Sequence, residues 1–222
     1  MSHHHKIALF ALLFCFSAFL WGQQQDMKQL AAAVDKHYNG LQSMQAAFTE
    51  TYEGGGLRRV ESGTLSIRKP GQMRWEYGSP TPKLFVTDGH TAWFYVPGER
   101  QARRAQLKQL DDLRSPLRYL LGHSKLEKEF KGLSLAIDQK PSAAGNVVLR
   151  GVPVAMQDRI SQVLLEVSAE YKLTRIYIEE LDGSRTVFEL RNEQDNLPLK
   201  ADRFRFQPPA GVEVMQATEL EP

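Results

Sequence analysis

The stretch that decides the fold reads TLSIRKPGQMRWEYGSPTPKLFVTDGHTAWFYV and covers residues 64–96. Apolar and polar side chains alternate there in three runs, which is typical of β-strands because successive side chains of a strand point to opposite faces. The large apolar residues that share a face within each run are Leu65 and Ile67, then Met73, Trp75 and Tyr77, and then Trp93 and Tyr95. Faces this apolar are rarely left in water, so we expect another part of the chain to cover them.

The same alternation extends over most of the chain and predicts about eleven strands. Turn residues separate the runs, notably at 54–56, 70–71 and 182–183. Short connections of this kind join neighbouring antiparallel strands, so the sequence predicts one antiparallel sheet. The predicted strands are 44–53, 57–69, 72–78, 83–88, 90–96, 132–138, 146–152, 160–169, 172–180, 185–192 and 202–206.

Two segments have the spacing of helices instead. Val34 and Tyr38 lie four residues apart within an apolar stripe over 26–41, which predicts one helix. A second segment, 106–122, carries regularly spaced leucines on both sides of a central proline, which predicts a pair of short helices.

A single sheet of this length tends to curl. A fully closed barrel would leave the helices no apolar surface to cover, whereas an open half-barrel offers them its concave face. The sequence therefore predicts a protein that is mainly β with some α, an open antiparallel half-barrel of about eleven strands lidded by three short helices.

Residues 1–22 are arranged like a secretory signal peptide. A short basic lead precedes an uncharged apolar run over 7–21. This run is shorter than the roughly 20 residues that a membrane-spanning helix needs, so we expect cleavage, which we place after Gly22. Residues 23–222 would then form a single domain outside the inner membrane, in the periplasm, without the only cysteine, Cys15.

The charges argue against one class of partner. Lys and Arg total 28 against 26 Asp and Glu, a formal net charge of +2. Nucleic-acid binding relies on basic side chains that neutralise phosphates, so no nucleic-acid partner is expected. A local basic cluster over 100–104 is flanked by turns, and we interpret it as a solvated edge.

Catalytic and metal-binding patterns were not found in the sequence. Glu179 and Glu180 are neighbours in a predicted strand, so they face opposite sides and cannot act together on one substrate. His37, His90 and His123 occur singly, without the spacing of metal ligands. We therefore expect no enzyme activity, no metal and no cofactor, and the covered apolar space itself becomes the candidate site.

Three segments resemble one known family, the periplasmic outer-membrane lipoprotein carriers, LolA. They are RKPGQMRWEY at 68–77, VTDGHTAWFY at 86–95 and FRFQPPAGV at 204–212. The resemblance covers nearly all of the chain after residue 22. It implies an open half-barrel lidded by three helices. It also implies a carrier that accepts lipoproteins from an inner-membrane ABC transporter and hands them to an outer-membrane acceptor. We expect such a carrier to act as a monomer.

The resemblance also implies which residues hold the acyl chains. The residues of the lid's underside are Val34, Tyr38, Leu117, Leu120 and Leu121, and those of the sheet beneath are Leu65, Ile67, Met73 and Trp75. Lys69 stands where the family has an arginine that latches the lid, and lysine is a flexible point donor rather than a planar fork. The alternative for every apolar residue in this set is ordinary core packing.

Two other functions stay open from the sequence. The same fold could serve a periplasmic sensor or regulator that binds lipids or lipoproteins without shuttling them. A secreted hydrolase would need a cluster of polar groups, and no such cluster is evident.

Overall fold

The computed structural model describes residues 26–106 and 125–217. The predicted signal peptide and the predicted helical pair at 106–122 therefore lie outside the described residues, except for residue 106. No helix in these two ranges is long and apolar enough to cross a membrane. An α-helix covers 26–40 (α1), as predicted, and a single helical turn that was not predicted covers Leu126–Glu129 (α2).

Twelve strands lie within the described residues. They are β1 (Ser43–Gly54), β2 (Leu57–Arg68), β3 (Gln72–Ser79), β4 (Lys83–Asp88), β5 (Thr91–Tyr95), β6 (Gln101–Gln106), β7 (Phe130–Leu135), β8 (Val147–Pro153), β9 (Ile160–Val167), β10 (Leu173–Glu180), β11 (Arg185–Asp195) and β12 (Glu213–Gln216). They form one open sheet in the order β12-β6-β5-β4-β3-β2-β1-β11-β10-β9-β8-β7. The predicted half-barrel is confirmed, and ten of the eleven predicted strands are present.

The predicted strand at 202–206 is wrong. A short 3₁₀ helix covers Ala201–Phe204 instead, and residues 205–206 belong to no strand. Phe204 is only 1% exposed, because this segment packs against the outer face of β3 and β4 rather than pairing with an edge. Burial of alternate aromatic residues on a sheet face produces the same sequence pattern as a strand.

Two strands were missed at the edge of the sheet. β6 occupies most of the basic cluster that the sequence analysis interpreted as a solvated edge. The guanidinium groups of Arg103 and Arg104 lie over the rings of Phe94 and Trp93, at 4.7 and 5.5 Å from their centroids. Such cation–π contacts let charged residues pack on a sheet. β12 pairs with β6 in parallel. All other neighbouring strands of the described sheet pair in antiparallel fashion.

The stretch at 64–96 lies between two segments that cover it, one on each face of the sheet. Leu65 pairs with Trp75 and Ile67 with Met73, so the first two apolar sets share the concave face. Trp93 belongs to the opposite, outer face, where its ring lies 5.5 Å from that of Phe206. Tyr95 contacts the same phenylalanine at 5.4 Å. The C-terminal segment covers the outer face, and α1 covers the concave one.

The C-terminal segment is also held by polar contacts. Arg74 donates a hydrogen bond to the carbonyl oxygen of Arg203 at 3.1 Å, and the Arg203 side chain donates to Glu76 at 2.8 Å. Both partners on β3 point away from the concave face. The segment therefore lies outside the interior of the half-barrel.

Candidate functional site

The interior between α1 and the sheet is apolar. The helix contributes a stripe that belongs to the same buried cluster as the concave face, namely Met27, Ala31, Val34, Tyr38 and Leu41. Among the residues predicted to hold a ligand, those brought together in this cluster are Val34, Tyr38, Leu65, Ile67, Met73 and Trp75, each at most 5% exposed. Their use in ligand binding stays a prediction. Leu117, Leu120 and Leu121 lie outside the described residues.

Aromatic rings fill the middle of the concave face. The ring of Trp75 lies 4.6 Å from that of Phe48 and 5.7 Å from that of Phe188, and Tyr77 lies 4.9 Å from Phe48. The indole N–H of Trp75 donates to the sulfur of Met73 at 2.9 Å. A polarizable thioether beside large rings can adapt to irregular apolar shapes. This part of the interior suits flexible hydrocarbon.

Lys69 ties the helix to the turn between β2 and β3. Its ammonium donates a hydrogen bond to the carbonyl oxygen of Tyr38 in the last turn of α1. Its own backbone N–H donates to the carbonyl of Gln42 at 2.9 Å, which holds the turn beside the helix end. Burial lowers the pKa of the Lys69 ammonium. The contact matches the position of the family's latch, and the action of Lys69 as a latch stays a prediction.

Replacing Lys69 by methionine is expected to loosen the end of α1. Lys69→Met keeps an apolar stem of similar length and removes the donor to Tyr38, so we expect the free energy of unfolding to fall by roughly 1 kcal/mol. Urea denaturation measures this loss. Lys131→Met, at an exposed position of β7, is the matched control and should change little. Equal stability of the two variants would contradict a structural role for the Lys69 bond.

A second polar group lies at the other end of β1 and β2. Glu50 and Glu61 are directly opposite each other in the ladder and are 7% and 5% exposed. Glu61 is paired with Lys83 at 2.7 Å and Arg59 at 3.1 Å. Glu50 accepts a hydrogen bond from the Tyr77 hydroxyl at 2.7 Å, and burial raises the pKa of Glu50. This pair has no signature in the sequence, because its two carboxylates meet only through strand pairing.

The raised pKa of Glu50 predicts a dependence of stability on pH. A carboxyl group whose pKa is higher in the folded state favours folding when protonated, and this contribution is lost as the pH rises through the folded pKa. Glu50→Gln keeps an acceptor for Tyr77 and removes the charge, so it should be more stable than the wild type at pH 7. The gain should shrink on acidification towards pH 4, where wild-type Glu50 becomes neutral.

Urea midpoints between pH 7 and pH 4 test this dependence. Glu53→Gln is the control, because Glu53 lies on the same strand with a side chain that is 50% exposed. A destabilised Glu50→Gln variant at pH 7 would show that the charged form of Glu50 is the one that the fold favours.

A third polar group joins α1 to the opposite side of the sheet. The Nε2 atom of His37 lies 3.2 Å from the Glu193 carboxylate and 3.9 Å from that of Asp195. These three residues have the composition of a metal site. Lys172 lies 3.0 Å from Asp195 and 3.6 Å from Glu193, and it supplies the positive charge that a metal ion would bring. His37 stands alone in the sequence, because its partners are more than 150 positions away.

Comparison with known families agrees with this geometry. The family model described as outer membrane lipoprotein carrier protein LolA matches residues 39–207, from the end of α1 to the C-terminal segment. The match covers well over half of the chain. The chain belongs to the LolA family.

LolA-family relatives match over nearly their full length. An outer-membrane lipoprotein carrier protein from Nitrosospira multiformis is 26% identical over 220 residues, which are 97% of this chain and 98% of the relative. One of the same name from Chromobacterium violaceum is 30% identical over 194 residues, 87% of this chain and 88% of the relative. The relatives are carriers by name.

Solved structures resemble this LolA-family chain more distantly. A LolA-superfamily protein from Nitrosomonas europaea is 13% identical, with a TM-score of 0.46 over 80% of this chain and 96% of that one. The lipoprotein LppX from Mycobacterium tuberculosis is 14% identical, with a TM-score of 0.48 over 78% of this chain and 98% of that one.

Proposed function

We propose that this LolA-family protein is a periplasmic carrier that binds the acyl chains of lipoproteins between α1 and the concave face of the sheet. It takes them from an inner-membrane lipoprotein-releasing ABC transporter and delivers them to an outer-membrane acceptor. The observation that carries this proposal is the gathering of Val34, Tyr38, Leu65, Ile67, Met73 and Trp75 in one buried cluster between α1 and the sheet. The names of the relatives support it.

The physical chemistry of lipid transfer fits such an interior. Burying acyl chains is worth about 0.8 kcal/mol per CH₂, so a lipoprotein cannot cross water unaided at a useful rate. A carrier must therefore offer an apolar space equivalent to the bilayer. Since both environments are apolar, transfer between them is close to balance, and an adaptable wall helps release. Met73 beside Trp75 provides such a wall.

The remaining parts of the proposal follow the same model. Residues 1–22 direct the chain across the inner membrane and are removed, and residues 23–222 form the carrier domain, which acts as a monomer without a cofactor. Lys69 holds α1 closed over the bound chains, and the three leucines Leu117, Leu120 and Leu121 complete the lid.

Depletion of the protein in its host tests the proposed function. We expect outer-membrane lipoproteins to accumulate in the inner membrane, and expression of the wild-type gene should restore their sorting. Protein purified from the periplasm should carry a lipidated protein that mass spectrometry detects. Normal sorting after depletion would refute the carrier. If sorting is normal after depletion but the protein purified from undepleted cells carries a lipidated partner, the result would favour a regulator that binds without shuttling.

A further inference from the structure

The last turn of α1 is attached to the sheet on two sides. On one side, Lys69 in the turn between β2 and β3 donates to the backbone carbonyl of Tyr38. On the other side, the Tyr38 hydroxyl donates to Glu193 at 3.0 Å and accepts a hydrogen bond from the backbone N–H of Leu173 at 2.8 Å. In the strand order, β2 and β3 lie on one side of β1, and β11 and β10 lie on the other. Tyr38 thus bridges the two halves of the sheet.

The two attachments differ in strength. Glu193 has a side chain that is 6% exposed, and its carboxylate faces the Tyr38 hydroxyl, His37 and Lys172. Removing one of these three partners leaves a buried carboxylate with poorer compensation, which is costly. Burial and the nearby Glu193 carboxylate also raise the pKa of Tyr38, so its hydroxyl stays protonated and donates.

The Lys69 attachment is the weaker one, because it rests on one side-chain hydrogen bond. The Tyr38 carbonyl is the only acceptor of the Lys69 ammonium in residues 26–106 and 125–217. A lysine side chain is a flexible stem with a single charged end, and burial lowers the pKa of this ammonium, which marks a partly desolvated charge. This bond can break without disturbing the contacts on the other side, because it uses the backbone of Tyr38 and they use its side chain.

We propose that the contacts of His37 and Tyr38 with Glu193, Lys172 and Leu173 form a hinge, and that α1 turns about it when the Lys69 bond opens. Tyr38 and Glu193 are then positioning residues, which keep one side of the helix seated while the other side lifts. The proposal rests on the proposed function only in one respect, namely that the molecule admitted when α1 lifts is an acyl chain. The asymmetry itself is a property of the protein without lipid.

Amide hydrogen exchange followed by NMR on the lipid-free protein tests the hinge. The backbone N–H of Leu173 reports on it directly, because it donates to the Tyr38 hydroxyl. In Tyr38→Phe we expect this amide to exchange at least about tenfold faster, together with faster exchange in α1. In Lys69→Met we expect faster exchange in α1 with no change at Leu173. The two variants remove donors on opposite sides of one residue.

A second variant and a control complete the experiment. Lys172→Met leaves Tyr38 intact and removes the cation beside Glu193 and Asp195, so it should also speed exchange in the last turn of α1. Lys131→Met on β7 should change none of these amides. Equal acceleration at Leu173 in Lys69→Met and Tyr38→Phe would overturn the hinge, since the helix would then leave as one unit. Unchanged exchange in Tyr38→Phe would overturn it as well.

A fluorescent fatty-acyl probe tests the proposed function separately. The wild type should bind it, and Lys69→Met should release it faster than Lys131→Met does. No binding by the wild type would count against the acyl carrier. The exchange pattern of the lipid-free protein would still decide whether the hinge exists.

Discussion

Trp75→Ala should lower the free energy of unfolding by about 3–5 kcal/mol, the usual cost of truncating a buried tryptophan. Trp75 is 5% exposed and contacts Phe48 and Phe188, so its removal leaves a void among rings that cannot close over it. Urea denaturation measures the loss. Trp93→Ala is the matched control. Trp93 is only half-buried on the outer face, where Phe206 covers it, so a smaller loss is expected.

The same pair of tryptophans separates ligand binding from core packing. In protein that lacks residues 1–22, and with them Trp21, the conservative variants Trp75→Phe and Trp93→Phe each keep one of the two remaining tryptophans. Brominated acyl chains should quench the fluorescence of Trp93→Phe, which retains Trp75, and should quench Trp75→Phe much less. Quenching of Trp93 alone would place the lipid on the outer face and would contradict the proposed site. No quenching of either would mean that Trp75 serves only to pack the core.

Gly63→Ala is expected to destabilise the protein by about 3 kcal/mol or more. A Cβ atom at Gly63 would lie 1.9 Å from the carbonyl oxygen of Glu76, which is backbone and cannot rotate away. The β2–β3 ladder shifts register between Ser62 and Gly63, and the backbone of β3 at Glu76 and Tyr77 lies directly against Gly63. A side chain would force the two strands apart beneath the aromatic rings of the concave face.

Gly78→Ala provides the control for this clash. Gly78 lies on the facing strand β3, has no heavy atom within 4 Å of an added Cβ and has no positive φ. We expect its stability to stay within about 0.5 kcal/mol of the wild type. Urea midpoints of the two variants measure the difference. If Gly63→Ala unfolds at the same midpoint as Gly78→Ala, the close approach of β3 is not a constraint on the fold.

Much of the fold follows from local periodicity. The strands predicted at 57–69, 72–78, 83–88 and 90–96, which the stretch at 64–96 contains or ends, appear within one residue of their predicted ends. The helix at 26–40 follows equally well, because its apolar stripe and the glycine at its end are both local signals. These signals act through neighbouring residues, so a single sequence contains them.

The errors lie where tertiary contacts replace local patterns. β6 was missed because Arg103 and Arg104 look solvated until the rings of Phe94 and Trp93 lie beneath them. The segment 202–206 alternates like a strand because Phe204 and Phe206 pack on a sheet face, and not because the segment pairs with a neighbour.

The candidate site divides in the same way. Its apolar members could be named from the sequence, because a buried face shows itself as period two in a strand and as period three to four in a helix. The polar members could not be named. Glu50 meets Glu61 through the β1–β2 register, and His37 meets Glu193 across 156 positions.

The sequence by itself determined an apolar sheet, a helix with one apolar face and a family resemblance that names a carrier. Only the tertiary structure decided which apolar sets share the concave face, what covers the outer one, and how the end of α1 is held. The physical reason is that the spacing of apolar side chains within a segment indicates which of its faces is buried. Hydrogen bonds and ion pairs between distant segments depend on the register of the whole sheet, which no segment contains.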